Sequence, residues 1–183
     1  MTRTSLFQPV LWTTLVAALA GVGCSASADI PEVVVTQTGV SFDGVPRVVG
    51  LTDVTTSLET QFDHPSGMEL PEFLDPELHP LSAQVTGTGG MTDLSFIESL
   101  TLTLTSRSPD APPPRVMASY VRPSAGAIGK TISLRTDRDS DVLAYWGKEG
   151  AFYDLAVSGI LPQDNWAVDV SFSFSGHLSI SSN

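Results

Sequence analysis

Residues 166–180 read WAVDVSFSFSGHLSI, and the alternation in this stretch decides the fold. Trp166, Val168, Val170, Phe172, Phe174, Leu178 and Ile180 take even positions, with Ala167, Asp169, Ser171, Ser173, Ser175, His177 and Ser179 between them. Successive side chains of a strand point to opposite faces, so this pattern makes one apolar face and one polar face. Wound into a helix, the same apolar residues would spread around the whole circumference. Gly176 takes the one even position without a side chain and marks a bend or bulge.

Shorter versions of the pattern lie upstream. Ile97 to Ser106 sets Leu100, Leu102 and Leu104 between threonines, Thr131 to Leu134 alternates through Ile132, and Ala151 to Ser158 offers Phe152, Leu155 and Val157. Val33 to Phe42 and Ser57 to Phe62 add two more strands. Turn signals separate them: Asp43-Gly44, His64-Pro65-Ser66-Gly67, Gly87-Thr88-Gly89-Gly90 and the proline run 112–114. The reading is an all-β chain, a single antiparallel β-sandwich of about eight or nine strands, immunoglobulin-like or jelly-roll-like.

Two segments do not alternate. Ser140 to Gly147 clusters Val142, Leu143, Tyr145 and Trp146, so one short helix is expected there. Ser140 or Asp141 would cap it, Gly147 would end it, and Tyr145 or Trp146 would pack over one end of the sandwich. Pro71 to Pro80 carries enough proline to predict a long loop with at most one helical turn.

The N-terminus has the three parts of a cleaved secretory signal peptide: a positive start at Arg3, an apolar core over 10–20, and small residues after it. The core is shorter than the roughly 20 apolar residues that span a bilayer. Gly21-Val22-Gly23-Cys24 resembles the lipobox of bacterial lipoproteins, with Gly21 where leucine is usual. That resemblance implies that Cys24 becomes the lipidated first residue of the mature protein. It divides the chain into a signal peptide at 1–23, a lipidated N-terminus and tether at 24–31, and a domain at 32–183. Ala26-Ser27-Ala28 offers a second cleavage site, which would release a soluble protein beginning at Asp29. Each buried acyl methylene contributes about 0.8 kcal/mol, so several palmitate-type chains hold a soluble domain to a membrane. By the same resemblance, the non-acidic Ser25 implies transfer to the outer membrane. Cys24 is the only cysteine, so no intrachain disulfide exists.

A second resemblance covers about half the chain. The order DLSFIESL (93–100), DVLAY (141–145) and SGILP (158–162), followed by the final alternating strand, resembles a loosely defined set of uncharacterised bacterial lipoproteins. It implies a β-sandwich closing the chain and implies no activity.

Charge narrows the partners. The chain carries a formal net charge of −11, and Arg3 is the only charged residue before Asp29. An acidic surface repels phosphate backbones, so nucleic acid is not an expected partner. The expected partners are a membrane, through the anchor, and an envelope protein or glycan.

Few residues suggest chemistry. Asp137, Asp139 and Asp141 alternate in DRDSD and form the candidate metal site, since hard carboxylate oxygens suit Ca²⁺. A Ca²⁺- or carbohydrate-binding module would use them with Tyr145 or Trp146 exposed alongside. His64 and His79 stand beside prolines, and His177 falls on the polar face of the last strand, all without metal-ligand spacing. No G-x-S-x-G elbow occurs, and Asp63-His64-Pro65-Ser66 reads as a turn. The expectation is a non-enzymatic interaction or structural module of the cell envelope, without a required cofactor.

Overall fold

The alternation at 166–180 becomes one continuous strand, and its two neighbours organise the molecule. The computed structural model describes residues 27–46, 54–62, 74–107, 112–124, 128–145 and 151–180. Those residues form β1 (Ser27–Phe42), β2 (Val54–Phe62), β3 (Leu74–Gly87), β4 (Ile97–Thr105), β5 (Arg115–Val121), β6 (Thr131–Thr136), β7 (Ala151–Gly159) and β8 (Trp166–Ile180). The signal region with Cys24, and also His64 and Trp146, lie outside the described residues.

The chain is nearly all β. Its strands form one antiparallel sheet in the order β1-β8-β3-β6-β5-β4-β7-β2. At the middle of this order the pairing is thin: β5 meets β6 only at Ala118↔Thr136 and Ser119↔Arg135. The sheet turns a corner there, and its halves curl over one core. Contact across the core is direct. The Tyr153 ring of β7 meets the Phe172 ring of β8 edge-on, centroids 5.7 Å apart.

The inner faces follow the sequence pattern. Leu100, Leu102 and Leu104 of β4 are buried, as are Tyr153, Leu155 and Val157 of β7 and Val168, Val170, Phe172 and Phe174 of β8. Burying each large apolar side chain contributes about 1.5–3 kcal/mol against leaving it in water. The outer faces are carpeted with serine and threonine, which hydrogen-bond across strands: Thr36 with Ser171 at 3.0 Å, Ser82 with Ser173 at 2.8 Å, Thr86 with Thr131 at 3.1 Å.

Four local expectations need correction. The irregularity signalled by Gly176 lies in the partner strands: β1 shifts register between Ile30 and Val33, opposite Gly176 to Phe174 of β8, and β3 between Pro80 and Ser82, opposite Phe174 and Ser173. β1 begins at Ser27, paired with Ser179, so strand pairing reaches into the 24–31 stretch read as a tether. The short helix is a single 3-10 turn, Leu143–Tyr145.

The fourth concerns Pro71 to Pro80, expected as a loop, where β3 already runs from Leu74. Leu78 N–H donates to Asp141 Oδ1, and Leu78 O accepts from Val142 N–H, so both groups point away from β8. Pro76 and Pro80 share that parity on a strand of period two. Their missing N–H groups therefore fall on the side where β3 has no strand neighbour, since β6 pairs only with 83–86.

Candidate functional site

The acidic turn between β6 and the 3-10 turn is where the sequence points first. Asp141 Oδ1 accepts two backbone N–H groups, from Leu78 and from Leu143, each at 3.0 Å. The carboxylate thus replaces a strand carbonyl at the edge of β3 and caps the turn that follows. Asp137 faces elsewhere, accepting from the Ser140 hydroxyl and, at 3.1 Å, from Arg115 Nη2. The Ser140 hydrogen bond foremost, with help from the Arg115 guanidinium, holds the Asp137 carboxyl below the usual carboxylate range. Asp139 is exposed. The three carboxylates do not converge, and among the described residues no three His, Cys, Asp or Glu side chains gather at one point.

Tyr145 is buried, and its hydroxyl donates to the Pro113 carbonyl at 2.8 Å. The proline run thereby receives the turn, and no Tyr145 ring face is left for a sugar to stack on. This arrangement makes the turn a clasp between β3, β6 and the β4–β5 connection. Asp141→Ala leaves Leu78 N–H without its acceptor in a partly buried place. A loss of about 1–3 kcal/mol is expected from the shift in urea midpoint. Asp141→Asn keeps an acceptor oxygen and should lose much less.

The histidines are arranged differently from their place in the sequence. His79 sits on strand β3, not in a loop, and shares the outer face with His177 of β8. Asp29 of β1 is the Cα partner of His177, and His177 is the partner of Glu77 of β3. His177 Nδ1 lies 3.0 Å from Asp29 Oδ1. His79 Nδ1 lies 3.1 Å from the Ser140 carbonyl, and its Nε2 lies 3.3 Å from Glu77 Oε2. The imidazoles are 27% and 43% exposed for His79 and His177, so the group is half-sunk in the sheet surface and open to solution. Sequence reading missed this grouping, because β3–β8 register alone creates it.

Two other places carry polar groups of note. An open groove of ≈ 500 Å³ runs past the β5–β6 corner, lined by Val116, Arg135, Asp137 and Arg138 among others, with Asp137 already bound by Arg115. Tyr120 has a buried hydroxyl without a hydrogen-bond partner. Burial raises its pKa, opposed by nearby Arg122, so this phenol keeps its proton and is no base.

No family model matches the chain, and no curated protein matches it. Among solved structures it is similar to the decameric BFDV capsid protein, at 13% identity over 85% of this chain and 99% of that one, with a TM-score of 0.42. It is also similar to a bacterial lipoprotein from Bacteroides thetaiotaomicron, at 11% identity over 84% and 96% of the two chains, TM-score 0.36. Turnip yellow mosaic virus empty head gives 12% identity over 99% and 93%, TM-score 0.23. At these scores the likenesses assign neither family nor function to the chain.

Proposed function

We propose that the chain is an exported, lipid-anchored protein of the cell envelope, whose domain is a non-enzymatic interaction or structural module. The observation that carries this reading is the N-terminal sequence, in which an apolar core ends in the lipobox-like GVGC at 21–24. The first paired residue among those described, Ser27, follows Cys24 by only Ser25 and Ala26 in sequence. A lipid on Cys24 would hold the β1 end of the sheet against the bilayer, and the non-acidic Ser25 favours the outer membrane. The strand order supports a jelly-roll sandwich, with β1-β8-β3-β6 set over β2-β7-β4-β5. Such a domain is a rigid support for loops that meet an envelope protein or glycan.

Buried Tyr145 offers no ring of its own to a sugar at the acidic turn, which supports this reading from one of the two aromatics there, while Trp146 lies outside the described residues. The test is metabolic acyl labelling. Wild type should take up label and fractionate with membranes, and Cys24→Ala should do neither. An unlabelled wild-type protein with its N-terminus at Asp29 would overturn the anchor.

A further inference from the structure

The β5–β6 corner gathers positive charge on an acidic chain, whose nine Lys and Arg stand against twenty Asp and Glu. Three arginines come to this corner: Arg115 opens β5, Arg135 lies near the end of β6, and Arg138 stands in the turn after it. Arg115 is committed to Asp137 at 3.1 Å. Arg135 and Arg138 are exposed and make no hydrogen bond or ion pair among the described residues. The other described arginines are occupied, Arg122 by Glu98 at 2.8 Å and Arg107 over the Phe152 ring at 4.2 Å.

Both free guanidinia border the groove of ≈ 500 Å³, a volume within the range of ligand clefts. Ser119 and Arg135 are Cα partners, so they share one face of the short β5–β6 ladder. Against β4, β5 carries one extra residue, Met117, between Ala118 paired with Leu102 and Val116 paired with Thr103. Such a bulge re-aims the side chains around it. Met117 is buried, and Val116 is left 50% exposed as an apolar wall of the groove.

The lining selects a class of ligand. Asp137 is engaged by the Ser140 hydroxyl and by Arg115, which leaves Asp139 as the remaining acid against two free guanidinia. A chain this acidic repels long polyanions such as nucleic acid. No aromatic ring lines the groove for a sugar to stack on. Single carboxylates suit the planar guanidinium fork, which binds them through two parallel hydrogen bonds.

We propose that this groove docks an acidic, extended peptide segment of a partner protein, with Arg135 and Arg138 pairing its carboxylates and Val116 receiving an aliphatic side chain. The groove is present whether or not Cys24 carries lipid, so peptide binding and acyl labelling fail independently of each other.

Fluorescence anisotropy of a labelled, C-terminally amidated hexapeptide, EEVEEV, titrated with the purified protein tests this. Saturable binding is expected, weakening as ionic strength rises. Arg135→Ala and Arg138→Ala should each weaken it by about fivefold, and the double variant should abolish it. Lys130→Ala removes an exposed cation outside the groove and should change affinity by less than about twofold. The uncharged peptide QQVQQV should not bind. All altered side chains are exposed, and a melt verifies that each variant folds. No saturation with EEVEEV up to about 1 mM protein, equal binding of QQVQQV, affinity untouched by the arginine changes, or an equal loss in Lys130→Ala would each overturn the site. Displacement of the peptide by an equal concentration of inorganic phosphate would overturn it in favour of a small-anion site.

Discussion

Phe172→Ala is expected to destabilise the domain by about 3–5 kcal/mol. Phe172 is 1% exposed and sits on β8 with Val35 and Ala83 as its Cα partners in the flanking strands. Its ring reaches across the core to Tyr153 of β7, and lies 6.3 Å from Phe174 along its own strand. Truncation removes transfer energy and leaves a void between the two halves of the curled sheet, and Ala83 beside it is too small to fill that void. Domains of this size have about 5–15 kcal/mol in total, so the loss is a large share. Ser171→Ala, one residue away on the outer face, should change stability by about 0.5 kcal/mol or less. Urea midpoints of the two variants measure the contrast, and equal losses would mean that the inner and outer faces of β8 are wrongly assigned.

Gly159→Ala is the second large effect, expected at about 3–4 kcal/mol. Gly159 closes β7 with φ at +145°, a region that L side chains rarely adopt. A Cβ there would stand 2.1 Å from the Phe96 carbonyl oxygen and 2.8 Å from Glu98 N, both backbone atoms that cannot swing aside. Relief would require moving the start of β4 and breaking the Ile160 N–H bond to Phe96 O, 3.0 Å long. Gly39 gives the internal comparison. It also has positive φ, at +67°, but open space surrounds its missing Cβ. Gly39→Ala should therefore cost only about 1–2 kcal/mol, the intrinsic left-handed penalty. A Gly159 variant no worse than the Gly39 variant would contradict the close approach of β4 and β7 at this point.

The strand content was legible wherever one face is apolar and the other wet. β8 and β4 announce themselves by Val, Phe and Leu alternating with Ser and Thr, because burial of one face imposes a period of two. The corner at β5–β6 was not legible, since it depends on where two strands stop pairing. β3 was hidden by its prolines. Leu74, Pro76, Leu78 and Pro80 do alternate with Asp75, Glu77 and His79 once proline is counted as apolar. Whether proline is tolerated depends on which edge its nitrogen faces, and that is a tertiary fact.

Side-chain neighbours were hard to read for a related reason. Linear spacing favoured Asp137, Asp139 and Asp141, yet a tight turn offers its carboxylates nearby backbone donors, and Leu78 and Leu143 took them. His79 and His177 looked unrelated in sequence. They meet because β8 lies beside β3 in one register, and a slip of one residue would send the histidine of β8 to the other face.

That register is the central claim, and one nuclear Overhauser measurement tests it most directly. Leu78 turns its N–H and carbonyl toward the acidic turn, so Leu78 and Gly176 form a pair without mutual hydrogen bonds. Such pairs bring Cα atoms to about 4.5 Å and give strong Hα–Hα contacts. A strong Leu78–Gly176 Hα–Hα signal is the expected result, and it sets Glu77 opposite His177. A strong Leu78 signal to the Hα of Phe174 or Leu178 instead would contradict the register and disperse the two histidines.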